Sequence, residues 1–348
     1  GDGDGDGDMK SLVYYGSEEI RITDTIKPEP KQEEALIKVK SVGICGSDVH
    51  GYSGKTGRRI PPMIMGHEFS GIVSDIGNKV KRFKIGDRVV VHPVNYCGTC
   101  EQCKAGLINI CPKRSFLGVM DINGAMAEYV CACEKQIFRL PDNLSFTQGA
   151  MVEPLAVAHR AVEKAGNIEL NDILVVGAGT IGLLVVKILK SRNPGKIIVS
   201  DLSDYRLGIA EKSGADIVIN PTRTKVGDVI ACATNGRGVD IAFEAVGASV
   251  TVQSALGALK NSGTCIWIGN SAKMINIDMQ EVVIRELRIY GIHIYTGEDF
   301  AQAIRLLADG VVDINPVVSK CITLEEAPGF FKLLANVPEE IVKVIINL

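Results

Sequence analysis

The sequence predicts an α/β protein of two unlike parts: a mostly antiparallel, barrel-like domain and a parallel, doubly wound sheet. Up to about residue 150 the chain shows short alternating strands punctuated by Gly and Pro. Between about 170 and 293 the rhythm changes to apolar strand, helix, apolar strand. A glycine triplet also sits at the first strand–helix junction of that second region.

In the first region the strands are read from "EALIKVKSVGIC", "HEFSGIVSDIG", "GDRVVVHPV" and "AEYVCACEKQIFRLP". In the second they are "DILVVGAG", "KIIVSD", "ADIVIN", "VDIAFEAVG", "GTCIWIGN" and "LRIYGIH". The tail closes on "EEIVKVIINL", is too short to stand alone, and is expected to pack back onto the first domain. The opening "GDGDGDGD" is acidic and has nothing to bury, so residues 1–8 are predicted to be a disordered, tag-like extension before Met9.

With 348 residues there is room for two cores. A net charge of −3, with 46% hydrophobic and 23% charged residues, gives no electrostatic reason to expect nucleic acid or an anionic membrane as partner. No apolar run approaches the ~20 residues that span a bilayer. The N-terminus lacks the basic-then-apolar pattern of an export signal, so a cytoplasmic location is expected. In such a compartment ten cysteines point to metal rather than to disulfides.

"ILVVGAGTIGLLVVKILK" spaces Gly177, Gly179 and Gly182 as G-x-G-x-x-G after an apolar strand and at the start of an apolar-faced helix, which is the dinucleotide fingerprint. Gly177 permits the tight turn, Gly179 lets a pyrophosphate approach the backbone, and Gly182 lets the helix lie close to its strand. The free N–H groups and positive dipole end of that helix then face the phosphates. "KIIVSD" ends at Asp201, whose carboxylate suits the ribose hydroxyls of NAD and repels the extra phosphate of NADP. Arg206, one turn further on, would flank the adenine or tolerate that phosphate.

Two metal sites are expected. Cys97, Cys100, Cys103 and Cys111 offer four thiolates with no open position, the arrangement of a closed structural zinc, in a lobe of about residues 93–115. Cys45 in "VGICGSDVH" and His67 in "MGHEFSG" need one carboxylate to make a three-ligand zinc with a vacant position, the catalytic pattern. Glu68 and Glu153 (in "VEPLAVAHR") are both candidates for that carboxylate.

"ICGSDVH", "GHEFSG", the four-cysteine lobe, "EPLAV" and "VVGAGTIG" together resemble the zinc-dependent medium-chain dehydrogenases, in their polyol (sorbitol/L-iditol-type) branch, over essentially the whole chain from Met9. The resemblance implies a GroES-like catalytic domain (9–155, completed by 295–348) and a Rossmann domain (156–294), with the active site between them. It implies Cys45, His67 and Glu68 as ligands of the catalytic zinc, with Glu153 bound directly or through water. It implies that Asp48 orients His67, and that Ser47 bonds the substrate hydroxyl and passes its proton toward His50. Thr180, Ile181, Arg206, Val246 and Ile268 are expected around the dinucleotide. The expected reaction is oxidation of a secondary alcohol of a polyol to a ketone, with two zinc ions per chain, hydride transfer to NAD, and a homotetramer or homodimer. Departures bear on substrate. Tyr295 is expected near it, but Ile294 stands where sorbitol dehydrogenases carry an arginine. Lys55, Arg58 and Arg59 are expected at the cleft mouth, where they would receive a phosphate. 2,3-Butanediol, threonine and polyol-phosphate dehydrogenases share the scaffold. Two other readings are a zinc-free quinone reductase and a nucleotide-sensing protein without turnover.

Overall fold

The computed structural model describes residues 7–336 and 340–348. The chain divides into two compact units, Gly1–Glu153 with Val318–Leu348, and Pro154–Val317.

The first unit is organised around the strand Glu34–Ile44, which pairs antiparallel with Glu68–Ile76, Tyr129–Cys133 and the C-terminal Lys343–Asn347. Arg88–Val91 and Ile137–Arg139 extend the sheet on one side, and Val318–Thr323 extends it on the other in parallel. Val42, Phe69, Val73, Val89, Ile137 and Ile346 fill the core. Along Glu34–Ile44 the exposed lysine Lys38 gives way to a last stretch, Ser41 to Ile44, that is buried on both faces. A strand buried on both faces at one end carries its functional groups there, and that end leads into the site described below.

The second unit is a six-stranded parallel sheet in the order Ile217–Ile219, Ile197–Ser200, Ile173–Val176, Val239–Glu244, Leu259–Trp267, Arg288–Gly291. The connection reverses direction at Ile173–Val176, which is the topological switch point where doubly wound sheets bind ligands. Ile173–Val176, Ile197–Ser200 and Val239–Glu244 are buried along their whole length, as central strands of a parallel sheet covered on both faces are.

Two expectations are corrected. Residues 1–6 of the expected extension lie outside the described residues, but its last two are ordered: Asp8 pairs with Ile26, and the Gly7 carbonyl accepts from Lys27 N–H at 2.9 Å. The chain also returns to the first unit at Val318 rather than at 295. The physical reason is the Gly297–Ala308 helix, which buries Phe300, Ala303 and Leu307 and joins Asp299 to His159 at 2.9 Å within the second unit. The terminal strand runs Lys343–Asn347, and Glu339, expected to help open it, lies outside the described residues. Among the described residues, no helix is long and apolar enough to cross a membrane.

A Cβ on Gly182 would stand 1.8 Å from the Gly177 carbonyl oxygen, so the helix Thr180–Lys190 can lie on its strand only with glycine there. Gly182→Ala is expected to destabilise the second unit by about 1–3 kcal/mol. That corresponds to a loss of several degrees in Tm by differential scanning calorimetry, at roughly 2–4 °C per kcal/mol.

Candidate active site

Three adjacent strands end at one place in the first unit. Glu34–Ile44 delivers Cys45, Glu68–Ile76 begins with Glu68 just after His67, and the start of Lys343–Asn347 contributes Lys343. The register sets Gly43 opposite Glu68 and Ile44 opposite Val344. A side chain at Gly43 has no room, because its Cβ would lie 2.1 Å from Glu68 Oε2. The ligand atoms of Cys45, His67 and Glu68 consequently fall within 4.8 Å of one another, with His67 4% and Glu68 1% exposed.

Cys45 is extended (φ −82°, ψ 149°) and caps the helix Gly46–Tyr52. Asp48, in that helix's first turn, reaches back so that its Oδ2 accepts the Cys45 N–H at 3.2 Å. Its Oδ1 lies 3.6 Å from His67 Nδ1 and accepts from Arg59 at 2.7 Å. Ser47 Oγ donates to Cys45 Sγ at 3.3 Å, and His67 meets the Phe116 ring edge-on at 5.4 Å.

Burial, and then the Glu68 charge, push the Cys45 thiol up to about 11. Burial alone would lower Lys343, but Glu68, Cys45 and Glu153 outweigh it and hold its ammonium above the ordinary lysine range. Lys343 pairs with the Glu68 carboxylate and donates to the Ile44 carbonyl at 3.1 Å. A buried thiol that resists ionisation, beside an imidazole and a carboxylate within ligand reach, fits a divalent cation, because the cation supplies the charge the thiolate needs.

The lobe cysteines also converge. Cys97 Sγ lies 3.9 Å from Cys103 Sγ and 3.6 Å from Cys111 Sγ, and Cys100 Sγ lies 3.9 Å from Cys111 Sγ. The Thr99 amide, the Thr99 hydroxyl and the Cys100 amide point at Cys97 Sγ and hold that thiol down, to about 5. Amides aimed at sulfur favour thiolate, and four sulfurs at this spacing fit a closed tetrahedral zinc.

In the second unit, Gly177 takes φ +98°, and Gly179 caps the helix Thr180–Lys190, which begins with Thr180 and Ile181. A Cβ on Gly179 would meet nothing within 4 Å, leaving the open approach that a pyrophosphate needs. The Asp201 oxygens each accept one backbone N–H, from Ala178 at 2.7 Å and from Ser203 at 2.9 Å. The carboxylate is thus aimed while each oxygen keeps a lone pair. Val246 closes against Gly177, whose Cβ would lie 2.7 Å from Val246 Cγ2. The buried Glu244 orders the surrounding loops: its side chain accepts from Val246 N–H at 3.0 Å and its carbonyl from Ile268 N–H at 2.9 Å. Arg206 Nε is buried with no hydrogen-bond partner among the described residues.

The remaining candidates separate. Ser47 and His50 are both exposed, three residues apart on one helix and therefore on one face. Glu153 is buried at the start of Val152–Ala165 and is not part of the Cys45–His67–Glu68 group. Arg58 and Lys55 are exposed, as expected of a cleft-edge loop. Arg59 is not: its guanidinium is buried on Asp48, a carboxylate with no exposed surface that needs a partner there. Tyr295 has no exposed surface and packs on Phe300 with ring centroids 5.7 Å apart, so its ring is core. Lys343 was missed. Its signal was a lone charge within the apolar run "IVKVIINL", where the strand register turns it inward.

Comparison with known proteins agrees with this geometry. Residues 31–142 match the alcohol dehydrogenase GroES-like domain and residues 180–309 the zinc-binding dehydrogenase domain. The chain is 35% identical over 342 residues to sorbitol dehydrogenase of Bacillus subtilis, covering 97% of each. It is 36% identical over 315 residues to D-arabitol-phosphate dehydrogenase of Enterococcus avium, covering 89% of each. Among solved structures, 2R,3R-butanediol dehydrogenase of Bacillus subtilis superposes with TM-score 0.90 at 34% identity, over 98% of this chain and 99% of that one. An alcohol dehydrogenase of E. coli CFT073 complexed with NADH gives TM-score 0.92 at 28% identity, over 98% and 100%. A zinc-binding dehydrogenase of Sinorhizobium meliloti bound to NADP gives 0.89 at 31%, over 98% and 99%. Likeness in sequence and fold along nearly the whole chain leads to one conclusion: this protein belongs to the zinc-binding medium-chain dehydrogenases, and it is a zinc-dependent NAD(P) oxidoreductase of alcohols or polyols.

Proposed function

We propose that the chain oxidises a secondary alcohol carbon of a sorbitol- or L-iditol-like polyol to a ketone, with NAD⁺ as hydride acceptor. The observation that carries this is the convergence of Cys45, His67 and Glu68 beside the exposed Ser47, a ligand set with a hydroxyl placed to handle a proton. Zinc held there supplies Lewis acidity that brings an alcohol hydroxyl toward ionisation near neutral pH. Ser47 bonds the substrate hydroxyl and takes its proton, and His50, on the same helical face, receives it. Asp48 keeps His67 and the Cys45 backbone in register. Glu153, buried at the start of Val152–Ala165, completes the site as a zinc ligand bound directly or through water. Zinc in the four-cysteine lobe holds the chain from Cys97 to Cys111 together, making two ions per chain.

A polyol phosphate is a second reading, favoured by the exposed Lys55 and Arg58 and by the likeness to the arabitol-phosphate enzyme. The commitment of Arg59 to Asp48 removes one of the three cations that would hold a phosphate, and this supports the unphosphorylated substrate. The Asp201 carboxylate supports NAD over NADP. Ten free cysteines, five of them gathered in groups that can hold a metal, support a reducing compartment such as the cytoplasm.

A second copy of the chain is the proposed partner, as a homodimer or homotetramer. Arg288–Gly291 is an edge strand, and Met274, Met279, Val283 and Ile284 beside it are exposed, the first and last by 83% and 78%. An open edge next to an apolar patch is usually covered.

Three outcomes are expected. Cys45→Ser should lower kcat/KM on the best substrate of an NAD⁺ reduction screen (sorbitol, xylitol, galactitol, their phosphates, 2,3-butanediol, threonine) about a thousandfold, the equivalent of losing ~4 kcal/mol of Lewis-acid stabilisation. Metal analysis of that variant should fall from two equivalents to one, with the circular dichroism spectrum unchanged; wild-type turnover would refute the assignment. Asp201→Ala should raise KM for NAD⁺ about 10- to 100-fold, as expected for a lost charge-assisted hydrogen bond, and narrow the gap to NADP⁺. Ile284→Glu should shift the particle mass in analytical ultracentrifugation to a smaller oligomer.

A further inference from the structure

Arg59 stands in a basic loop whose other cations are exposed, yet its own side chain is 3% exposed. Three features hold it. Its backbone is clamped to the Met120 segment, where the Arg58 carbonyl accepts from Met120 N–H at 2.8 Å and the Met120 carbonyl from Ile60 N–H at 2.9 Å. Its aliphatic stem crosses the Gly46–Tyr52 helix at Gly51, where a Cβ would lie 2.4 Å from Arg59 Cγ. Glycine inside a helix costs about 1 kcal/mol relative to alanine, and here it leaves the space the stem occupies. Finally, one guanidinium nitrogen, Nη2, donates to Asp48 Oδ1 at 2.7 Å and to Ser47 Oγ at 3.3 Å.

From this geometry we infer that Arg59 is the positioning residue of the active site: one cation that sets Asp48 and the Ser47 hydroxyl together and so gives proton transfer its direction. The inference rests on the proposed role of Ser47. A guanidinium only donates and is always charged. Arg59 fixes the Asp48 carboxylate through that 2.7 Å bond, and Asp48 in turn holds the Cys45 N–H and faces His67. A hydroxyl has one proton and two acceptor lone pairs. Arg59 occupies one lone pair of Ser47, and the Ser47 proton is directed to Cys45 Sγ, 3.3 Å away. One lone pair remains. When the substrate O–H breaks, its proton forms a new O–H bond at that lone pair and the original Ser47 proton leaves toward His50. The C–H bond meanwhile breaks with its electron pair going to NAD⁺. With Arg59 in place the Ser47 oxygen cannot turn to donate toward the loop, so the relay runs outward only.

The test compares Arg59→Lys, Ser47→Ala and the double variant in the zinc-loaded full chain, on the substrate identified by the NAD⁺ screen. A lysine keeps the charge, but its shorter stem and freely rotating ammonium do not fix the two donor directions as the planar guanidinium does. Arg59→Lys is expected to lower kcat about tenfold or more with KM for NAD⁺ unchanged, and to enlarge the D₂O effect on kcat. In the Ser47→Ala background the same change should cost little, since the oxygen it orients is gone. A readout independent of turnover is metal retention: against a chelator, Arg59→Lys should release one of its two metal equivalents at about tenfold lower chelator concentration, as outer partners of ligands typically do, while the lobe keeps its own. Should Arg59→Lys fail to fold, Gly51→Ala displaces the stem without removing the charge and should give the same signature. Arg59→Lys (or Gly51→Ala) with wild-type kcat, D₂O effect and metal retention overturns the inference. Losses that simply multiply with those of Ser47→Ala overturn it too. If Ser47→Ala itself turns over normally, the reading of the relay fails instead.

Discussion

The structure depends on keeping negative charge inside a dry pocket. Glu68 and Asp48 are essentially inaccessible to water, and Cys45 must become a third anion when it binds metal. Uncompensated, such groups would take up protons or unfold the site. Each carboxylate has its own cation: Lys343 from the last strand for Glu68, and Arg59 from the basic loop for Asp48. The thiol has none to itself. The charge still owed at Cys45 is what a divalent ion would supply there.

This arrangement requires close approach, and glycine provides it three times. Gly43 leaves room for the Glu68 carboxylate, Gly51 for the Arg59 stem, and Gly182 for the Gly177 carbonyl. In each case the missing Cβ lets a polar group of one segment reach past the backbone of another. The two units use the same device for different ends, one to pack buried charges together and one to bring a helix N-terminus close to its strand.

A second theme is how backbone donors prepare anions before any ligand arrives. Thr99 and Cys100 amides aim at Cys97 Sγ, the Cys45 amide at Asp48, and the Ala178 and Ser203 amides at Asp201. Each acceptor is oriented by a turn that the local sequence encodes and is held in place before any ligand arrives. Helix Gly297–Ala308 is stabilised the same way, with Thr296 and Asp299 capping each other while Asp299 also holds His159.

What could be read from the chain alone was whatever is written at short range. The glycine spacing, the four clustered cysteines, the strand–helix alternation and the pair His67–Glu68 are local patterns, and all of them stand in the structure as elements or clusters. Tertiary structure decided the rest. Lys343 meets Glu68 only because the last strand pairs antiparallel with Glu34–Ile44, a contact set by register across most of the chain's length. Arg59 reads in the sequence as a phosphate-receiving cation beside Lys55 and Arg58, but the space at Gly51 and the charge of Asp48 draw it inward, and Tyr295, expected near the substrate, is packed against Phe300. Sequence spacing fixes which groups can share a turn or a helical face. Which buried charges meet depends on how distant strands align, and no local pattern carries that alignment.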